Sequence, residues 1–498
     1  QAEYVINQAK VDAINGDMKD KEQIQENVTN IVNNNNINIS NDQIENITNL
    51  TQNIVNENYD NSYTENITEI NNNIKQEIDA SDDIDISDPA QQEAIYETNK
   101  FIPVYTWADE IYSQSENDTE MNKVYQVIYN CNVVIDEVMD SKNGTNEEKL
   151  EIRAEALVHR AEAYLTLVNV YGVPYNAATA STDQGVPLLT TPRVEGALPR
   201  ASVEKVYEQI FKDLDDAFEY LPDVAEFNFY PGKCAIYALR ARAYLLMGNY
   251  TEAKKNAQEA LKLKSTLENL NDYVDLASTE ESVRRKNYVE TLKDKEVIFA
   301  KMPVTTFSMA SYSTAGLVLS DNLLNTFDQE KDLRYFYFTR SMIDDLGMTY
   351  SGRVYFKDNY YPYDWKKNEG RNMGPCVPEM MLIEAECWAR EGNTTESMNI
   401  VNKLREYRYV AGEDYSLSAA TAKEALGNVL QERRRELTCH GLRWMDQRRL
   451  ANDPDFPTQT VTRIFKGTTY TLEPGAVRYT FPMGEKYLEE NPEIGQIK

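Results

Sequence analysis

The clearest indication of the fold class is the sequence IYALRARAYLLMGNYTEAKKNAQEALKL, residues 236–263. Each half carries small and apolar residues at three- and four-residue spacing, and Gly248-Asn249 separates the halves with a turn. Small residues at this spacing let two helices approach closely, as the helices of tetratricopeptide hairpins do. The residues of this face are Ala238, Ala241, Tyr244, Leu245, Ala253, Ala257, Ala260 and Leu261. The stretch therefore predicts a helical hairpin.

A second copy of the hairpin follows 144 residues later, where Gly392-Asn393 matches Gly248-Asn249. Ser397, Val401 and Leu404 then stand at the positions of Ala253, Ala257 and Ala260. Two copies in one register predict a mainly α protein with a tetratricopeptide-type helical-repeat spine. Such spines mostly present surfaces to partners rather than carry out chemistry.

Outside the hairpins, hydrophobic spacing predicts helices over 123–139 and 147–171, and a third that begins after an N-cap at Ser202 and ends near Leu221. The opening is rich in Asn and Ile, with weakly amphipathic spacing. We expect four parts: an Asn-rich segment of uncertain structure (1–93), a helical repeat region (94–264), a loop-rich aromatic insertion (265–375), and a C-terminal repeat with a closing segment (376–498).

The net charge and the cysteine spacing limit which partners and which metal or disulfide sites can be expected. Lys and Arg total 51 and Asp and Glu total 81, which leaves a net charge of −30. A surface this acidic repels phosphate backbones, so nucleic acid is not an expected partner, and polyanions would need a local Arg or Lys pocket. The five cysteines form no Cys-x-x-Cys pair and read as small buried hydrophobes within helices. We expect a mature or trimmed chain, because no apolar leader stands at Gln1.

No catalytic constellation is visible. The two histidines, His159 and His440, have no His or Cys neighbour at metal-binding spacing and read as packed or surface residues. Carboxylates are so dense that pairs occur by chance. We assign no catalytic residue, metal or cofactor. The charged group near the end reads as a structural ion-pair network, because Arg and carboxylate recur there at helical spacing. Its members are Arg433, Arg434, Glu436, Arg443, Asp446 and Arg449.

Loop aromatics supply the candidate ligand-binding residues. Sugars stack apolar C–H faces on aromatic rings and need planar polar groups beside them. Three sets fit this chemistry: Tyr363, Asp364 and Trp365 with Arg353; Phe307 and Tyr312; and Trp107 and Tyr112, which lie near Asp109. Trp388 and Trp444 stand in helical motifs and are expected in the core.

Several motifs match one known family. They are Arg153-Ala154-Glu155-Ala156, Arg160-Ala161, Val170-Tyr171-Gly172-Val173-Pro174, Gly185-Val186-Pro187-Leu188, Arg200-Ala201-Ser202-Val203, Leu221-Pro222, the repeat at 235–260, Glu432-Arg433-Arg434, Glu436-Leu437, Gly441-Leu442-Arg443-Trp444 and Phe481-Pro482-Met483. On these motifs the chain resembles the SusD/RagB family from about residue 94 to its end. His440 departs from the acidic residue usual before the glycine, and the first cysteine is Cys131, so the family's lipid-bearing cysteine is not seen.

The resemblance implies a substrate-binding lipoprotein rather than an enzyme. Proteins of this family are α-helical, anchored by lipid on the outer face of the outer membrane in Bacteroidetes-type bacteria. They cap a TonB-dependent transporter of the SusC/RagA type and pass it oligosaccharides or, in some members, oligopeptides. Four readings stay open, in this order: a glycan-binding lid, an oligopeptide-binding lid, a helical-repeat scaffold without ligand, and a hydrolase.

Overall fold

The structure is a computed structural model that describes residues 71–73, 76–86, 88–95, 101–192, 196–286, 288–289, 293–303, 317–343, 351–355 and 372–497, with isolated positions between 23 and 48. The chain divides into two compact units, residues 1–70 and 71–498. Residues 71–93, which the sequence groups with the Asn-rich segment, belong to the same unit as the hairpins. All elements described below lie in this second unit.

Helices dominate this unit. In chain order the described α-helices are α1 (Gln76–Ala80), α2 (Pro89–Ala94), α3 (Phe101–Tyr105), α4 (Thr119–Glu137), α5 (Asn146–Tyr171), α6 (Val203–Ala217), α7 (Lys233–Leu246), α8 (Tyr250–Leu263), α9 (Glu281–Arg284), α10 (Asp321–Leu324), α11 (Leu333–Tyr337), α12 (Val377–Arg390), α13 (Thr394–Glu406), α14 (Ala422–Glu436), α15 (Leu442–Arg449) and α16 (Glu485–Glu490). None of the described helices is both long and apolar enough to cross a membrane.

The strands are short and occur in pairs. They are β1 (Asn71–Asn73), β2 (Ile84–Asp85), β3 (Gln184–Pro187), β4 (Arg200–Ser202), β5 (Met302–Pro303), β6 (Val318–Leu319), β7 (Thr339–Ser341), β8 (Arg353–Tyr355), β9 (Val461–Phe465) and β10 (Thr468–Leu472). The longest pair is the antiparallel β9–β10 hairpin, in which Phe465 pairs with Thr468. Its two-residue turn has positive φ at Lys466 (47°) and Gly467 (77°), as tight hairpin turns require.

The two predicted hairpins are confirmed as α7–α8 and α12–α13, and their turns are built alike. Gly248 ends α7 at φ 73°, and Gly392 ends α12 at φ 84°, a left-handed conformation that glycine adopts without steric cost. The next asparagine caps the following helix. Asn249 accepts the Glu252 amide, and Asn393 accepts the Glu396 amide, each at 3.2 Å. The Gly-Asn pair thus stops one helix and starts the next.

The hairpins lie far apart in sequence but pack together through α8 and α12. A buried ion pair joins α7 to α12: Arg242 Nε and Nη2 each lie 2.7 Å from a Glu379 carboxylate oxygen. Around it the alanines of the repeat face are fully buried. Close approach of small residues plus one satisfied charge pair therefore holds the spine together.

The other predicted helices are also present. The α5 helix begins at a capping box of Thr145 and Glu148 and stops at Gly172. Ser202 caps α6 as predicted, by accepting the Lys205 amide. The α4 helix begins four residues before the predicted start, because the Asp118 carboxylate caps it through the Met121 amide. The mainly α class with a tetratricopeptide-type spine is confirmed.

A second hydrophobic core lies outside the spine. It combines Ile78, Ile84 and Ile86 with Phe465 of β9 and with buried residues of the insertion between 317 and 355. The loop-rich insertion is thus anchored, in its described part, to the segment that precedes the helical repeats. This arrangement positions the site described next.

Candidate functional site

The predicted ligand residues fall into two groups. Phe307, Tyr312, Tyr363, Asp364 and Trp365 lie outside the described residues and stay predictions. Trp107, Tyr112 and Arg353 are described, and the structure places them in different surroundings.

Arg353 belongs to the small β7–β8 sheet. Its Nε donates to Thr339 Oγ1 at 2.8 Å, and its guanidinium carbon lies 4.4 Å from the centre of the Tyr335 ring. These contacts hold the half-buried side chain against its own sheet. A role in ligand binding remains a prediction.

Trp107 lies directly after α3 and is only 3% exposed. Its indole Nε1 donates to the Ala80 carbonyl at 2.8 Å. The backbone has φ 52°, in the left-handed region that bulky residues rarely adopt and that costs on the order of 1 kcal/mol. The sequence predicts an exposed aromatic platform here. Instead the ring lies almost wholly inside, with a narrow edge at the surface cavity described below.

Arg463 of β9 holds this ring in place. Its guanidinium carbon lies 4.5 Å from the Trp107 ring centre and 4.1 Å from that of Tyr105. It donates to the carbonyls of Tyr105 and Ser81 at 2.5 Å each and of Ile84 at 3.0 Å. Burial lowers the pKa of Arg463, although arginine stays protonated in proteins. The hairpin thus clamps the left-handed turn through cation–π and hydrogen-bond contacts.

A surface pocket of about 220 Å³ opens beside Trp107. Its lining residues are Val104, Trp107, Ala108, Asp109, Ile111, Val477, Arg478, Thr480, Phe481, Pro482, Gln496 and Ile497. Asp109 and Arg478 form an exposed ion pair, with Arg478 Nε 2.9 Å from Asp109 Oδ1. The cavity thus combines apolar walls with an exposed carboxylate–guanidinium pair, as small-molecule sites commonly do. We call this cavity the Trp107 pocket.

Tyr112 anchors the loop that follows the pocket. Its hydroxyl donates to Asp118 Oδ1 at 3.1 Å, and the same carboxylate accepts the Tyr171 hydroxyl and the Met121 amide. Burial raises the pKa of Asp118, while these donors act against it. Tyr112 therefore ties the loop to the start of α4, and it is not among the residues that line the pocket.

A larger groove of about 900 Å³ borders the Trp107 pocket. Its walls come from the α7–α8 turn, from α15 and the residues after it, and from the segments 173–183 and 475–480. Three residues, Val477, Thr480 and Ile497, line both cavities. We call this cavity the hairpin groove.

The predicted ion-pair network is confirmed. Arg433 Nε lies 2.8 Å from Asp446 Oδ2, and Arg434 Nε lies 2.7 Å from Asp83 Oδ1. Arg443 pairs with Asp82 at 2.6 Å, and Arg449 pairs with Glu386 at 2.7 Å. Glu436 pairs with Arg334 at 2.8 Å. These side chains are paired within the chain, mostly in its interior, and so tie α14 and α15 to the residues near Asp82.

The other sequence predictions on packing fare as follows. All five cysteines and Trp444 are buried, as expected. Three of the cysteines lie within helices as predicted, but Cys376 is the N-cap residue of α12 and Cys439 lies in the turn between α14 and α15. Trp388 is half-buried instead, with the Lys254 ammonium 3.6 Å above its ring.

His159 is a packed residue whose Nδ1 lies 2.6 Å from Lys301 Nζ. Burial, with the neighbouring Lys301, places its pKa well below the usual range. Among the described residues no group of His, Cys, Asp and Glu is arranged to hold a metal ion.

Sequence reasoning missed Arg463 and Arg478 of the site. Arg463 sits in a strand whose pattern is too short to stand out, and its targets lie more than 350 residues earlier in the chain. Phe481-Pro482 was visible only as part of the closing segment.

The fold defines a helical-repeat protein. Two family models match: one described as starch-binding and associating with the outer membrane, over residues 2–245, and the SusD family, over residues 349–496. The chain belongs to the SusD/RagB family. Members of this family are substrate-binding proteins rather than enzymes.

Individual relatives agree with this assignment. SusD-like protein P2 of Formosa agariphila is 26% identical over 372 residues, which cover 66% of this chain and 70% of that protein. A SusD superfamily structure from Bacteroides thetaiotaomicron is 20% identical, covers 88% of this chain and 99% of its own, and superposes with a TM-score of 0.67. A laminarin-binding SusD-like protein is 16% identical, covers 88% and 98%, and has a TM-score of 0.61. At these identities the structures establish the likeness of fold.

Proposed function

We propose that this protein captures oligosaccharides at the Trp107 pocket and delivers them to an outer-membrane transporter. The observation that carries the proposal is the pairing of an apolar cavity with the exposed Asp109–Arg478 ion pair. Family membership supports it, and so does the laminarin-binding relative of the same fold.

The pocket has the parts that a sugar ring requires. Ile111 and Val477 offer apolar surface to the C–H face of a pyranose, whereas Phe481, which is 3% exposed, contributes only a narrow edge. Asp109 accepts hydrogen bonds from vicinal hydroxyls, and Arg478 donates to ring and hydroxyl oxygens. Because the two charges face each other, the pocket favours a neutral sugar over an ion.

Delivery is proposed through a TonB-dependent barrel of the SusC/RagA type, with this chain as a lipid-anchored lid on the extracellular face of the outer membrane. The description of the family model that matches residues 2–245, which names association with the outer membrane, supports an outer-membrane location. Copurification of the chain with the barrel, followed by electron cryomicroscopy, tests the lid. A single position of this subunit with and without ligand contradicts it.

Titration calorimetry tests the binding step. The purified chain is titrated with a panel of neutral oligosaccharides and with mixed oligopeptides. The double variant Asp109→Asn/Arg478→Gln is expected to weaken sugar binding about tenfold or more, because two charge-assisted hydrogen-bonding groups are lost. The matched control is Lys212→Gln/Asp216→Asn, which removes an exposed ion pair on α6.

The outcomes separate the alternatives. The proposal is supported if sugar binding is lost in the pocket variant Asp109→Asn/Arg478→Gln and retained in the control. Unchanged sugar binding in the pocket variant moves the site elsewhere. Binding of oligopeptides but of no sugar supports the oligopeptide-binding alternative instead. If no ligand gives a binding signal, ligand capture by the isolated chain is contradicted.

A further inference from the structure

We infer that the hairpin groove is a second subsite, continuous with the Trp107 pocket, which binds the outer units of a neutral oligosaccharide. This inference rests on the proposed function and adds the surface along which the ligand extends beyond the pocket. It assigns binding to the turn of the first repeat hairpin and to the loop after α15.

Continuity is the first argument. Val477, Thr480 and Ile497 line both cavities, so the two cavities share part of their wall. Val477, one of these shared residues, is 47% exposed. A chain that leaves the pocket can therefore enter the groove past this exposed side chain. The groove, at about 900 Å³, has about four times the volume of the pocket, which is about 220 Å³.

The lining of the groove is the second argument. Tyr175 and Tyr250 are half-buried aromatic residues in its wall. Tyr175 is held edge-on against Tyr207, with ring centres 5.2 Å apart, and the Arg390 guanidinium lies 4.4 Å from the Tyr250 ring centre. Rings fixed in this way can stack on sugar faces with little loss of side-chain entropy.

Exposed amides complete the recognition chemistry. Asn176 and Asn452 line the groove and are exposed. Asn176 Oδ1 accepts the Ala178 amide at 3.0 Å, which orients the side chain and leaves its two N–H donors for ligand hydroxyls. The side-chain amide of Asn452 can offer both N–H donors and a carbonyl acceptor to neighbouring hydroxyls. The groove thus repeats the combination found in the Trp107 pocket, but with uncharged polar groups at its edge.

Charge is the third argument, and it sets the ligand class. The three arginines of the groove are engaged within the protein. Arg390 lies 2.8 Å from Asp453, and Arg449 lies 2.7 Å from both Glu386 and Asp446. Arg448 is buried and donates to the main-chain carbonyls of Asn169, Val170 and Gly172. With these charges engaged, and with a net charge of −30 over the whole chain, the groove has little means to attract an anionic polymer.

The experiment compares chain lengths and groove variants. Titration calorimetry uses the disaccharide and the hexasaccharide of three series, which are the malto-, laminari- and xylo-oligosaccharides. Affinity electrophoresis uses the polymers starch, laminarin, xylan and polygalacturonate. The wild type is expected to bind one neutral hexasaccharide at least tenfold more tightly than its disaccharide. Asn176→Ala/Asn452→Ala is expected to reduce this length preference about fivefold, because the hydrogen bonds of the outer sugar units are lost.

Two further variants make the result decisive. Tyr175→Ala is expected to reduce the same preference by a similar factor, whereas Lys212→Gln/Asp216→Asn keeps it. Circular dichroism confirms that each variant is folded. Asp109→Asn/Arg478→Gln is expected to weaken the di- and hexasaccharide together.

Each other outcome overturns the inference in a distinct way. Equal affinity for both lengths, or a length preference that both groove variants retain, removes the groove from the site while the pocket function stands. Preferential binding of polygalacturonate overturns the neutral class. If no sugar binds the wild type, or only peptides bind, the proposed function fails together with this inference.

Discussion

The helical hairpins and the Trp107 pocket lie in the same unit, but the residues that build them differ in their separation along the sequence. In the hairpins, Gly248 ends a helix and Asn249 caps the next, so the turn is built by neighbouring residues. In the pocket, Trp107 depends on the carbonyl of Ala80 and on Arg463. The spine is therefore encoded by near neighbours in the sequence, whereas the pocket forms only when distant segments have packed together. The following predictions test this contrast.

The largest effect is expected where the two hairpins meet. Glu379→Gln leaves the buried Arg242 without its carboxylate, and an uncompensated buried charge costs about 3–5 kcal/mol of unfolding free energy. Urea denaturation measures the loss. The matched control is Glu391→Gln, which breaks the more exposed Lys254–Glu391 pair between the same hairpins and should cost below about 1 kcal/mol. Equal losses of unfolding free energy in the two variants would show that burial does not make the Arg242–Glu379 pair more important than the exposed pair.

Arg463→Met tests the long-range support of the pocket. It leaves the carbonyls of Tyr105, Ser81 and Ile84 without this donor, and we expect a loss on the order of 3 kcal/mol together with weaker sugar binding. Denaturation and calorimetry measure the two effects. Arg478→Met at the exposed rim is the control, with a change of stability within about 0.5 kcal/mol. Intact sugar affinity in a folded Arg463→Met protein would show that the clamp does not position the pocket.

Acid should lower the free energy of unfolding over a defined pH range in which the carboxylate of Asp82 is protonated. Burial favours protonation of Asp82, but Arg443 and Arg434 outweigh it and lower the pKa of Asp82 to about 2. A depressed carboxyl pKa stabilises the fold fully above the ordinary value of 3.8, and this contribution is lost as the pH falls towards 2. The stability difference between wild type and Asp82→Asn should therefore be about 2 kcal/mol at pH 6 and shrink between pH 4 and 2.

The neighbouring carboxyl is the control for this experiment. Burial raises the pKa of Asp83, so its contribution changes with pH in the opposite direction. Denaturation curves of Asp82→Asn and Asp83→Asn at several pH values separate the two groups. A wild-type advantage over Asp82→Asn that stays constant down to pH 2 would contradict the assignment.

The smallest effect is expected at the two hairpin turns. Gly248→Ala and Gly392→Ala each place a Cβ at positive φ, which costs about 1 kcal/mol. At both positions a Cβ would meet open space, so the backbone conformation is the main cost. Thermal denaturation should give similar losses for the two variants and unchanged sugar binding for Gly392→Ala. A twofold or larger difference between them would break the equivalence of the two repeats.

Much of the fold could be read from the chain because its signals are short-range. The matching Gly-Asn turns, the Ser202 cap and the alanine spacing each act within a few residues, and each predicted element is present. The start of α4 was misplaced because Asp118 caps it from outside the hydrophobic pattern. The ion-pair network was recognisable as structural, but Asp82 and Asp83 were not predictable as partners of Arg443 and Arg434.

The candidate site was only partly predictable. Trp107 and the nearby Asp109 stood out as an aromatic with a planar polar neighbour, and both line the pocket. The sequence could not indicate that the ring is almost wholly buried, because burial depends on Ala80 and Arg463. Nor could it show that Arg478, more than 350 residues later, completes the rim.

The helical class, the two repeat hairpins and the family could be inferred from the amino-acid sequence alone, because periodic spacing and capping residues act between near neighbours. Tertiary packing sets which aromatic residue lies at a cavity, which charges are paired and where the groove runs. Those properties follow from the docking of segments hundreds of residues apart. The residues of such a site share no spacing, because packing rather than local geometry brings them together.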